Sequence, residues 1–162
     1  MDAVATRPTL PPALFELPVL VVEAALLKLP ALDLPVRHYF ADGVCARELT
    51  IPAGCLLTSR RHLTRHLCFV ARGEITVWGD GVEPHVVHGP CTIVGEPGTR
   101  RIGYAHTETV WTTVFLNAEG HTDADAMLDV VTEIPEMPQE LMTADAPQVL
   151  REVLRLSEGS PT

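Results

Sequence analysis

An all-β domain, a sandwich or barrel of short antiparallel strands, is the fold class this sequence predicts. Three observations predict it. Between residues 37 and 117, short runs rich in Val, Ile, Thr and aromatic residues alternate with breaks containing Gly and Pro. The runs follow one another too closely for the helical crossovers that parallel strands require. The chain, at 162 residues, suits one domain with appendages. A content of 46% hydrophobic and 20% charged residues excludes wholesale disorder.

Residues 1–36 carry Pro8, Pro11, Pro12, Pro18, Pro30 and Pro35, and read as an extended arm that lies on a partner surface. Within it, VLVVEAALLKL has the apolar content of either a short helix or a buried strand, and its periodicity does not decide between them. The opening MDAVATRPTLPP lacks the basic segment of a signal peptide. The apolar stretch Leu17 to Leu29 is broken by Glu23 and Lys28 and is too short to span a bilayer. A reducing compartment and four free thiols are therefore expected for Cys45, Cys55, Cys68 and Cys91, which read as small buried apolar residues.

The β domain, residues 37–117, holds candidate strands at 37–40, 44–51, 55–59, 66–71, 74–78, 82–88, 91–94, 100–106 and 109–117. The breaks ADG, PAG, ARG, WGDG, HGP and EPG separate them. Trp78 and Trp111 fall inside strand patterns and read as core. His85 and His88 are three apart on one strand, so they point to opposite faces and form no chelate. Residues 118–162 form an acidic, partly helical appendage. TDADAMLDVVTEI begins with Thr122 or Asp123 as an N-cap, and APQVLREVLRL gathers Val149, Leu150, Val153, Leu154 and Leu156 on one side.

The net charge of −9 is unevenly spread. The β domain has eight bases against seven acids, whereas the C-terminal appendage has two against ten. No basic face is available for phosphate backbones, so a nucleic-acid partner is not expected.

The segment PAGCLLTSRRHLTRHLCFVARG carries the most information. Its spacing resembles the first motif of the cupin superfamily, small jelly-roll barrels: Gly, five residues, His, one residue, His, three or four residues, Glu, six residues, Gly. Here Gly54, Arg60, His62, His66 and Gly73 hold those places. Arg60 stands at the first His and His66 at the Glu. In GEPGTRRIGYAH, which resembles the second motif, Gly98 fits while Arg101 replaces the third His and Ala105 the Asn. The resemblance covers about residues 44–117. It implies a cupin-like antiparallel jelly roll. The stretches LPVRHYFADGVCAREL, ITVWGD and CTIVGEPGTRRIGYAHTETVWTTVF also resemble small cupin-like proteins of tailed phages, which implies a virion-associated accessory protein.

Arginine is always cationic and cannot ligate a metal, so a cupin metal set is broken at two of its four positions and no cofactor is expected. A residual divalent site would use His62 and His66 with Cys68 or His106. The four residues Arg60, His62, His66 and Arg101, if they converge, make instead a cationic pocket for a carboxylate, phosphate or acidic sugar. Otherwise the arginines sit solvated at the barrel mouth or pair with Glu48, Glu74 or Glu96. Three functions follow. The leading one is a non-catalytic assembly protein, most concretely a phage capsid-decorating or tail-attached component. It would contact itself as a homo-oligomer and other virion proteins, but neither nucleic acid nor membrane. It would reside in the virion if phage-encoded and in the cytoplasm otherwise. The second is a carrier or sensor of an acidic ligand. The third is a metal-dependent dioxygenase or isomerase.

Overall fold

The computed structural model describes residues 8–158. Two antiparallel sheets face each other. Strands β1 (Val36–Ala41), β2 (Gly43–Ile51), β10 (Thr109–Asn117), β5 (His66–Arg72) and β8 (Cys91–Gly95) lie side by side in that order. The opposite sheet runs β3 (Leu56–Thr58), β9 (Arg100–Ala105), β6 (Glu74–Asp80) and β7 (Val82–His88). Two further short strands, β4 (Arg61–His62) and β11 (Thr132–Glu133), pair with each other. The non-sequential strand order in both sheets is a jelly-roll, double-stranded β-helix arrangement, the cupin-type fold expected.

Strands β1, β2, β5, β6, β7 and β8 end at the Gly- and Pro-containing breaks of the sequence. Gly73 joins β5 to β6 at φ +99°, and a Cβ there would lie 2.5 Å from Glu108 O and Thr109 Oγ1. Inward positions alternate with outward ones. Ile51, Val70, Ile75, Val77, Ala105 and Trp111 fill the space between the sheets.

The N-terminal segment differs from the extended arm expected. After a 3₁₀ turn at Pro12–Glu16, α1 (Val19–Leu26) forms a helix, with Pro18 as its N-cap residue. Leu10, Leu14, Val19, Val22 and Ala25 pack on the outward side chains Trp78, Ile102 and Tyr104 of the four-stranded sheet. The arm is therefore covered by its own chain rather than by a partner. The reason is local: Val19, Val22 and Ala25 are spaced as one helical face, and Glu23 on the same helix reaches Arg100. Residues 1–7 of the expected arm lie outside the described residues.

The C-terminal segment adds α2 (Ala124–Val131), α3 (Gln139–Thr143) and α4 (Gln148–Glu158). Asp123 caps α2, accepting a hydrogen bond from Ala126 N at 2.9 Å. Met127, Leu128 and Val131 then close one end of the barrel against Cys45 and Phe115. Leu150 and Val153 of α4 join the N-terminal cluster, with Val149 and Leu154 packed at its edge, whereas Leu156 is exposed. Lys28, the single lysine, donates from Nζ to the carbonyls of Leu141 (3.3 Å) and Ala144 (2.5 Å), tying the end of α1 to α3. No described helix is long and apolar enough to cross a membrane.

A buried ion pair fastens this outer layer. Arg100 Nη2 lies 2.5 Å from Glu23 Oε2, and the Arg100 side chain is 1% exposed. Its Nε donates to Ser59 O at 3.0 Å, but Nη1 and Nη2 find no aligned hydrogen-bond acceptor. Glu23 is thus its neutralising partner.

Candidate functional site

Strand register builds the site. On β2 the inward positions run Cys45, Arg47, Leu49, Ile51, so Arg47 projects between the sheets. His38 of β1 and Thr113 of β10 pair with Arg47 on either side. On β9 alternation splits an arginine dipeptide. Arg100 points outward into the helical layer, and Arg101 points inward. The segment after β3 contributes Ser59 and Arg60, and β4 contributes His62. Together these line a cavity of about 520 Å³ between the sheets.

Three of the four sequence-predicted residues, Arg60, His62 and Arg101, border this cavity directly. His66 lies behind them, stacked on His62 with ring centroids 4.0 Å apart and planes 21° from parallel. Phe115 packs beside both rings, 5.6 Å from His62 and 5.8 Å from His66. His66 Nδ1 donates to Thr64 O at 3.0 Å, which leaves Nε2 to accept from Arg101 Nη1 at 3.4 Å. Gly95 makes room for this contact: a Cβ there would run into the His66 ring and lie 2.9 Å from Arg101 Nη2. The Arg101 guanidinium also sits 5.9 Å from the centre of the Trp111 ring.

Arg60 is tied to Asp129 of α2 at 3.1 Å, rather than to Glu48, Glu74 or Glu96. Arg101 and Arg47 make no ion pair with any described residue. Arg47 Nε is buried without a hydrogen-bond partner, and burial, then the charge of Arg60, hold its pKa below the usual value. Sequence reasoning missed Arg47 and His38, although β2 was recognised as a strand. The signal was there: counting by twos back from the apolar Leu49 and Ile51 places Arg47 on the same inward face.

The site histidines His38, His62 and His66 are neutral at neutral pH. Burial, then the charges of His66, Arg101 and Arg47, push His62 down to about 3. Burial leads the lowering of His66 and His38 as well. Burial also pushes the Cys45, Cys55 and Cys68 thiols up, which keeps them protonated.

A transition metal does not fit these residues. Near-parallel stacking keeps the two imidazoles from converging on one ion, and the Nε2 lone pair of His66 is taken up by Arg101. No group of three or more His, Cys, Asp or Glu side chains among the described residues gathers around a common point. Neither Cys68 nor His106 completes a set with the histidines: Cys68 contacts Thr113, and His106 Nε2 contacts Thr76 Oγ1 at 2.6 Å.

No protein-family model matches the sequence, and no curated protein matches it either. Solved structures are similar to part of this chain. An RmlC-like cupin of double-stranded β-helix fold from Methanocaldococcus jannaschii is similar over 53% of this chain and 82% of its own, with 13% identity and a TM-score of 0.44. A Klebsiella pneumoniae protein with a double-stranded β-helix domain is similar over 62% and 90%, with 11% identity and a TM-score of 0.47. The cupin_2 domain of an XRE-family transcriptional regulator from Enterobacter cloacae is similar over 50% and 93%, with 13% identity and a TM-score of 0.43.

Proposed function

We propose that the barrel is a non-catalytic module that binds a small acidic ligand between its sheets. One observation carries this reading: Arg47 and Arg101 enter one cavity with no carboxylate partner among the described residues. A half-buried guanidinium with no ion-pair partner is held at a cost, and an incoming anion lowers that cost while gaining charge-assisted hydrogen bonds. The cavity has the volume of a site for a small organic molecule. A ligand that binds only the folded state must stabilise it, by about 2.7 kcal/mol at a hundredfold excess over Kd. A panel of carboxylates, phosphates and uronic acids is expected to contain compounds that raise the melting temperature saturably, and Arg101→Ala is expected to abolish the rise. A flat response across the panel refutes the reading.

A second reading, assembly, is supported by a different surface. Tyr39, Val44, Leu67, Phe69, Val94 and Leu116 are exposed on the outward side of the five-stranded sheet, Leu116 to 63%. Tyr39, Ala46, Val114, Leu67 and Val94 follow one another across all five strands, so the apolar surface is continuous. Two such faces stack naturally as an isologous pair. Light scattering is expected to give a dimer mass, and Leu67→Glu, at the middle of the face, a monomer. A monomeric wild-type protein overturns the pairing. The finer placement in a phage particle rests on sequence texture alone.

A further inference from the structure

The cavity is graded along its length. On the five-stranded wall, the row His38–Arg47–Thr113 is followed by the row Val36–Leu49–Trp111, and then by Ile51. On the opposite wall, Arg101 beside Gly79 is followed by Leu57–Gly103–Val77, and then by Ala105–Ile75. Ile51, Ile75 and Trp111 belong to one packed cluster, so the two apolar ends coincide. From Arg47 to Ile51 the strand advances roughly 13 Å. A cationic end thus opens onto an apolar channel the length of a medium-chain hydrocarbon.

Charge balance adds a second constraint. Arg47, Arg60 and Arg101 bring three positive charges, and Asp125 at the cavity wall and Asp129 on Arg60 bring two negative ones. The three histidines add none near neutral pH. The surplus is one positive charge, which a monoanion cancels and a dianion overshoots.

We infer that the ligand is an amphipathic monocarboxylic acid, its carboxylate held by Arg47 and Arg101 and its hydrocarbon body lying along Leu49, Leu57, Val77 and Trp111. This rests on the acidic-ligand reading above and narrows it to one chemical class.

The test is calorimetric titration of the full chain with acetate, butanoate, hexanoate and octanoate, with octanamide as the uncharged analogue, and with succinate and inorganic phosphate. Affinity is expected to rise about fourfold per methylene added. Octanoate is expected to bind at least tenfold tighter than octanamide, and tighter than succinate or phosphate. Arg47→Met and Arg101→Met are each expected to remove the preference for acid over amide. Should either variant fail to fold, the acid–amide contrast in the wild-type protein still decides. Tighter binding of phosphate or succinate, with no dependence on chain length, overturns this inference and leaves the acidic-ligand site standing. Equal binding of octanoate and octanamide overturns the role of the arginines. No binding by any anion overturns both readings.

Discussion

Glu23→Ala is expected to destabilise the protein by about 3–5 kcal/mol, the loss typical when one partner of a buried ion pair is removed. The size of the effect comes from Arg100. Its side chain is 1% exposed, and its two Nη atoms have no aligned hydrogen-bond acceptor. Without Glu23 the guanidinium keeps its charge, because arginine does not deprotonate in proteins. It must then be hydrated by loosening α1 from the sheet. Glu23→Ala combined with Arg100→Met is expected to recover most of the loss, since Ile102, Tyr104 and Trp78 already make that environment apolar. Urea unfolding of the wild type, the single variant and the double variant measures this directly. A single variant within 1 kcal/mol of wild type would show that Arg100 is solvated in solution.

Acid is the second strong perturbation. His62 titrates near 3 in the folded protein and near 6.5 when unfolded, so the unfolded state binds the additional proton between those values. Stability contributed by the neutral ring is therefore complete above about pH 6.5 and falls as the pH is lowered towards 3. The full shift corresponds to roughly 5 kcal/mol. His66 and His38 act in the same direction. His62→Phe is expected to keep the ring packing against His66 and Phe115 while removing the titration. The replacement is mild because His62 Nδ1 is buried without a hydrogen-bond partner. Denaturation midpoints at pH 7 and pH 4.5 are expected to diverge more in the wild type than in the variant. Equal slopes would place the acid sensitivity elsewhere.

The strands were legible because their signals are local. Gly and Pro punctuate the chain, and β-branched runs lie between them, so the nine longer strands fall close to their expected places. Strands β4 and β11, two residues each, have no local signal, because they exist only through pairing of Thr132 with His62 and of Glu133 with Arg61. The helix α1 was ambiguous for a different reason. VLVVEAALLKL is apolar on most sides, and only the sheet surface it covers distinguishes helix from strand. The site was partly legible. Motif spacing placed Arg60, His62, His66 and Arg101 in one region, and the structure gathers them there. Spacing within a motif could not supply Arg47 and His38, which arrive from another strand pair. Nor could it supply Asp129, which reaches Arg60 from a helix 69 residues further along the chain.

The outer layer on the four-stranded sheet joins the two ends of the described chain, with Leu10 and Leu14 in one cluster with Leu150 and Val153. On a ribosome adding 5–20 residues per second, roughly 7–30 s separate the synthesis of these partners. Throughout that interval the first helix has nothing from the far end to cover it. The apolar face shared by Leu10 and Leu14 therefore stays without its α4 partners, Leu150 and Val153, until that helix has been synthesised.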